Sequence, residues 1–234
     1  MEKIIHYCWF GKSKKSKLIK RCISSWKKYA SDFKLIEWNE NNFNIDDSPQ
    51  YVREAYKAKK YAFVSDYVRF YVLKKYGGIY LDTDVELIRK LDFDILTVPF
   101  FGMEKSLEIN PGLIVALEKN DEVCDFMIDS YNNSHFFADK YNITICQRIY
   151  AFFDIRGFAR KDENQIIEKY HIFSSEYFSP LDEKTRKLCK TNNTFSIHWF
   201  NASWLSKKEK LAKHKFISTL IKIKNLIFRG KKHE

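Results

Sequence analysis

Two carboxylates one residue apart, Asp82 and Asp84, are set in the run Ile79-Tyr-Leu-Asp-Thr-Asp-Val-Glu86. On a strand they share a face, about 6–7 Å apart given the rise per residue. Like charges that close, at the end of a buried strand, repel unless a cation joins them. Magnesium-type ions take one or two carboxylates and fill the rest of their shell with phosphate oxygens. The pair therefore predicts Mg2+ or Mn2+ shared with a substrate diphosphate. A solvated edge strand whose acids merely keep it soluble is the plain alternative. Sixteen residues upstream of Asp82 stands Asp66, with Arg69 at i+3, where helical side chains meet.

The elements that must position these groups are legible in the pattern. Tyr61 to Tyr76 reads as a helix, with Phe63, Tyr67, Phe70 and Tyr71 on one face. A second stripe, Ala62, Asp66, Arg69 and Leu73, implies a partly buried ion pair. Lys74 and Lys75 suit the negative helix end, and Gly77-Gly78 supplies the stop. From Ile79 the period becomes two, with Ile79, Leu81, Thr83 and Val85 opposed to Tyr80, Asp82, Asp84 and Glu86. Before this, Ile4–Phe10 predicts a buried first strand, and Leu18–Tyr29 a helix with Leu18, Cys22, Ile23 and Trp26 inward. Phe33–Trp38 predicts a second strand, and Tyr51–Lys60 a polar helix. Strand and helix in alternation indicate an α/β fold with parallel strands, whose ligands bind at the strands' carboxyl ends. Trp9 falls at such an end, where an indole either stacks on a base or fills the core. His6 reads as a core residue.

The run Ser65-Asp66, Arg69, Gly77-Gly78, Tyr80, Asp82-x-Asp84 resembles the signature of the DXD sugar transferases of glycosyltransferase family 32. Capsule and lipopolysaccharide enzymes belong to that family, and the catalytic domains of clostridial glucosylating toxins are more distant relatives. The resemblance implies a GT-A-like fold: a Rossmann-type mixed sheet flanked by helices. It implies a metal-dependent, retaining transfer from a nucleotide sugar, with UDP favoured by the toxin likeness and GDP the alternative. Asp66 would bind sugar hydroxyls with Arg69 bracing it, Asp82 would touch ribose or metal-bound water, and Asp84 the ion. Ser65 and Tyr80 belong to the same binding signature. His6 to Trp9 match a family His-x-x-Trp, whose Trp stacks uracil in the toxins. A family loop that faces sugar or acceptor puts Asn110 forward, although Asn110-Pro-Gly112 also reads as a plain turn. His198, Ser203 and Trp204 match a closing His-x(4)-Ser-Trp element, which implies His198 as a third metal ligand and Ser203-Trp204 on the β-phosphate. Where relatives show Thr-Gly-Pro, this chain has Ile143-Thr-Ile-Cys146.

Further along, Phe100–Glu104 predicts a strand, Ile109–Leu117 a helix, and Asp121–Tyr131 another helix. Asp92 and Asp94 read as loop solvation, and the aromatics of 150–180 mainly as core. The 234 residues, 45% hydrophobic and 17% aromatic, suit one packed domain, placed at 1–204. Five scattered cysteines without C-x-x-C spacing predict neither a disulfide framework nor a zinc site. The net charge of +11 is concentrated in 205–234, with ten Lys/Arg against two Glu. Leu211, Phe216, Ile217, Leu220, Ile221, Leu226, Ile227 and Phe228 there predict a basic amphipathic helix for an anionic membrane surface, where lipid-linked acceptors lie, or for packing. The globular part is close to charge balance, so no nucleic-acid partner is expected. A peripheral, cytoplasmic location on the inner face of a bacterial cell membrane is expected. Two rival functions stand beside transfer. One is an aspartyl-phosphate phosphohydrolase using Asp82 and Asp84; the other is a non-catalytic basic module binding membrane or nucleic acid.

Overall fold

The computed structural model describes residues 1–137 and 142–201. In chain order the elements are β1 (Ile4–Cys8), α1 (Lys17–Tyr29), β2 (Lys34–Trp38), α2 (Gln50–Lys57) and α3 (Tyr61–Tyr76). Next come β3 (Gly78–Tyr80), β4 (Val85–Leu87), β5 (Phe100–Gly102), β6 (Val115–Leu117), α4 (Glu122–Asn132) and α5 (Ile145–Asp154). The last are β7 (Gln165–Ile167), β8 (Tyr170–Phe173), α6 (Ser175–Phe178) and β9 (Ser196–His198). Met1–Trp199 form one compact unit.

Seven strands make one mixed sheet in the order β2-β1-β3-β6-β5-β8-β7, and β4 pairs with β9 in a second, two-stranded sheet. β2, β1 and β3 run parallel, as expected, and β6 then pairs antiparallel with both β3 and β5. The expected class, a mixed sheet flanked by helices, is borne out. The two sheet faces pack on separate apolar clusters, one with α2–α5 and one with α1, α6 and β4.

α1 begins where Ser16 accepts from the Ile19 amide, and its buried stripe is Ile19, Cys22, Ser25 and Trp26. Leu18 and Ile23, expected inward, are only half-buried. This helix fastens the small sheet: Trp26 Nε1 donates to Val85 O at 2.8 Å, and Leu87 N donates to Ser25 Oγ at 2.9 Å. α3 is buried on several sides, through Val64, Tyr67, Val68, Arg69, Phe70, Val72 and Leu73. Tyr71, expected on its apolar face, is instead 37% exposed, and Phe63 is half-buried. The stop at Gly77-Gly78 is as expected. At Gly78, φ is +98° and a Cβ would lie 2.6 Å from Ile4 O, so only glycine lets β3 approach β1 here.

Two expectations fail. The alternating run 79–86 is not one strand. Ile79 and Leu81 do face opposite to Tyr80, but the ladder ends there, and Val85 N bonds to Asp82 O at 3.0 Å across a turn. Asp82 and Asp84 thus flank a turn and do not share a strand face. The contacts from Ser25 and Trp26 draw 85–87 away to α1. The segment Ile109–Leu117 is a loop followed by β6, not a helix. It is buried on both sides, where a continuous apolar run fits either state. The aromatics Phe152, Phe153, Tyr170, Phe173 and Phe178 are core, and all five cysteines are free.

Candidate active site

The site is built where β1 and β3 end. His6 pairs with Tyr80 in register, and Leu81 N continues the ladder to His6 O at 3.1 Å. His6 is fully buried between Gly77 O (2.9 Å to Nε2) and the Trp38 indole N–H (3.0 Å to Nδ1). Burial lowers its pKa to about 4, against a smaller opposing effect of the Gly77 hydrogen bond. It is a neutral framework residue, as expected.

Above it, Arg69 joins the acids. It is 2% exposed; its Nη2 lies 2.9 Å from Asp66 Oδ1 and 3.3 Å from Asp82 Oδ1, and its guanidinium covers the Tyr80 ring at 4.7 Å. Arg69 Nη1 is buried with no partner among the described residues. The Tyr80 hydroxyl donates to Asp82 Oδ1 at 3.1 Å. Tyr80 is fully buried, so it supports Asp82 from below and is not itself presented to a donor. Ser65 Oγ donates back to Tyr61 O at 3.0 Å, and its carbonyl accepts from Arg69 Nε. Burial pushes the Asp66 carboxyl up to about 6, with Arg69 opposing. The expectation that Arg69 keeps Asp66 ionised is therefore met only above that range. Burial likewise raises Asp82, Arg69 opposing and Asp84 adding to the rise.

The second acid belongs to the small sheet. Val85 pairs with His198, and Trp199 N donates to Asp84 O at 3.0 Å. His198 Nε2 faces Asp84 Oδ1 at 3.4 Å, while Nδ1 contacts Glu104 Oε1 at 2.9 Å. Burial opposes the imidazolium, but Asp84 and Glu104 outweigh it and raise its pKa well above the ordinary value.

Hard carboxylate oxygens just past a strand's carboxyl end fit a hard divalent ion that is completed by phosphate oxygens. An all-protein cage is not present: among the described residues, no three His, Cys, Asp or Glu side chains group to hold a metal. The expected trio Asp82, Asp84 and His198 does not converge on one point without a ligand. Asp82 turns toward Arg69 and Tyr80, and Asp84 toward His198, because the turn at 82–85 separates what a strand would have aligned.

Trp9 sits just past β1, half-buried rather than in the core. Its Nε1 donates to Ser13 O at 2.7 Å, and Lys15 Nζ lies 5.2 Å from its ring centre. Asn110 is a turn residue with a fixed side chain: Oδ1 accepts from Gly112 N and Nδ2 donates to Glu104 Oε1, both at 2.7 Å. Ser203, Trp204 and the basic segment 205–234 lie outside the described residues.

Sequence reasoning missed three residues. Glu104 ends the apolar run Phe100-Phe-Gly-Met, an acid six residues before Asn110 with Glu108 between them. A Cβ on Gly112 would fall 2.1 Å from Asp82 Oδ2 and 2.8 Å from Arg69 Nη1, so the bare Cα is what admits them. Arg148, buried on α5 over the Tyr131 ring at 4.1 Å, adds a second cation whose field opposes the rise at Asp66. Its chain position gives no hint of this.

Residues 16–100 match the family described as "glycosyltransferase sugar-binding region containing DXD motif". The match holds Asp66, Arg69, Asp82 and Asp84 and leaves out Trp9, Asn110 and His198. It supports sugar transfer by a glycosyltransferase, a class whose DXD members typically bind a divalent metal. No curated protein matches the chain. Solved structures similar to it include one titled "PaToxG Glycosyltransferase", at 18% identity over 67% of this chain and 71% of that one, TM-score 0.46. Another is a glycosyltransferase involved in glycosylating the major capsid of PBCV-1, at 10% identity over 85% and 95%, TM-score 0.48. At that identity and superposition these likenesses carry no argument about chemistry.

Proposed function

We propose that this chain is a metal-dependent, retaining glycosyltransferase of the family 32 type. Its donor is a nucleotide diphosphate sugar, UDP-linked in preference to GDP-linked. Its acceptor is a glycan or lipid-linked glycan of surface polysaccharide synthesis, of capsule or lipopolysaccharide type. The basic segment 205–234 would hold the 1–204 domain on the anionic inner face of the cell membrane.

The observation that carries this reading is the Asp66–Arg69–Asp82 linkage at the carboxyl ends of β1 and β3. A bound Mg2+ or Mn2+ supplies Lewis-acid stabilisation of the leaving diphosphate; Asp82 and Asp84 would hold it, with His198 beside Asp84. Asp66 accepts from sugar hydroxyls and Arg69 fixes its carboxylate, so that binding energy serves orientation. Arg69 Nη1 is a donor left over for a substrate oxygen. Trp9, half-exposed at the end of β1, offers a face for the base, and Ser203-Trp204 would meet the β-phosphate. The phosphohydrolase reading fits less well: Asp82 Oδ1, which it needs as a nucleophile, already accepts from Arg69 and Tyr80.

A panel of UDP- and GDP-sugars with manganese, scored by thermal shift and slow donor hydrolysis, tests the proposal. A UDP-sugar should raise the melting temperature and be hydrolysed. Asp84→Asn should abolish both effects while the unliganded protein stays folded. Full activity in Asp84→Asn, or no response to any nucleotide sugar, refutes it.

A further inference from the structure

The two acids leave the turn in different directions, yet their supports meet at one atom. Glu104, 9% exposed just past β5, has its Oε1 2.7 Å from Asn110 Nδ2 and 2.9 Å from His198 Nδ1. From Asn110 one path runs to Asp82: Asn110 Oδ1 accepts from Gly112 N at 2.7 Å, and Gly112 O accepts from Asp82 N at 2.8 Å. The Gly112 Cα also lies against Asp82 Oδ2, within the space a Cβ would take. From His198 the other path runs directly to Asp84, Nε2 to Oδ1 at 3.4 Å. One buried oxygen accepting from both branches sets the orientation of an amide and an imidazole together, since an amide flip would put an acceptor oxygen in place of Nδ2 and a ring flip a carbon in place of Nδ1–H.

We propose that Glu104 is a positioning residue for both acids of Asp82-x-Asp84, holding the first through Asn110 and Gly112 and the second through His198. It touches neither donor nor ion. Its role toward the ion rests on the transferase reading above; its role toward the turn does not. Partners behind metal ligands typically contribute about 10–100-fold in metal affinity, and Glu104 serves two candidates at once.

The test compares wild type, Glu104→Met and Glu104→Gln, the first keeping length without an acceptor and the second keeping the acceptor oxygen. Hydrogen exchange of the Asp82 amide is read in metal-free protein, and Mn2+ affinity is read by the free-ion electron paramagnetic resonance signal. Glu104→Met should speed Asp82 exchange and weaken Mn2+ binding about tenfold or more. Glu104→Gln should restore both to near wild type. Unchanged exchange in Glu104→Met, or Glu104→Gln as impaired as Glu104→Met, overturns the proposal. Should Glu104→Met not fold, Asn110→Ala cuts only the first branch and must speed Asp82 exchange on its own; unchanged exchange there is equally fatal. A wild type that binds Mn2+ but turns over no nucleotide sugar sinks the transferase reading and leaves this one standing. Normal turnover with unchanged Mn2+ affinity in Glu104→Met does the reverse.

Discussion

Asp82 and Asp84 differ in what holds them more than in what they are. Asp82 closes the large sheet: its amide bonds to the loop before β6, and its carboxylate to Arg69 of α3 and Tyr80 of β3. Asp84 opens the small sheet, where its carbonyl takes Trp199 N and its carboxylate faces His198 of β9. Asp82, its side chain 33% exposed, rests on a buried guanidinium, whereas Asp84, 15% exposed, rests on a buried imidazole. A two-residue motif therefore joins one acid held by the large sheet and α3 to one held by the small sheet. Removing the buried cation on the first side should cost more stability than a substitution on the second that keeps an acceptor for His198.

The sharpest test removes Arg69. Arg69→Met leaves Asp66 and Asp82 facing each other without the cation between them, the situation in which breaking a buried ion pair costs about 3–5 kcal/mol. Urea denaturation at pH 7 should show a loss of that size, partly offset as one acid takes up a proton. Asp84→Asn on the other side, which keeps an oxygen for His198 Nε2 and leaves Glu104 on Nδ1, should lower the urea midpoint distinctly less. Equal effects from the two substitutions would erase the contrast.

A somewhat smaller effect lies beneath Asp82. His6 is held neutral, its pKa lowered from the ordinary 6.5 to about 4. Between those values the unfolded chain binds a proton that the fold refuses, so stability falls as pH falls through that window. The full loss, reached below about pH 4, is about 3 kcal/mol, because each tenfold difference in proton affinity between the folded and unfolded chain is worth about 1.4 kcal/mol. Denaturation midpoints from pH 7 to 4 should fall more steeply for wild type than for His6→Gln. Parallel curves would show that His6 does not set the acid limb.

How much of this could be read from the chain follows the same division. The large-sheet side announces itself locally: a glycine stop after a helix, an i,i+3 charge pair, and strands that alternate. The side carrying Asp84 depends on partners far away in sequence. Whether 79–86 forms one strand or two is decided by Ser25 and Trp26, 59 to 62 residues distant, and no periodicity records that. Glu104 looks like any other acid until Asn110 and His198 are folded onto it. The run 109–117, expected as a helix, holds the strand 115–117; an apolar run buried on both faces has no polar side to set its period, and Ile114 and Val115 favour a strand. The resemblance located Asp66, Arg69 and both acids, but not the turn between the acids, because motif spacing is the same for a strand and for a turn.

The mildest substitution contrasts two tryptophans, one on each side. Trp9 follows β1, half-exposed, with its indole N–H on Ser13 O and Lys15 Nζ 5.2 Å from its ring centre. Trp199 follows β9 with its Nε1 on Glu86 Oε2 at 2.8 Å and the Arg21 guanidinium 4.9 Å from its ring centre. Because Trp9 is not packed into the core, Trp9→Ala should change the melting temperature little. If its ring carries the base, nucleotide binding should weaken by about 1–3 kcal/mol, the worth of one base–aromatic stack. Calorimetric titration of nucleotide in the presence of manganese, beside a melting curve, separates the two effects. A drop in melting temperature with unchanged affinity would reverse the assignment, making Trp9 a packing residue and leaving the base to be held elsewhere at the end of β1.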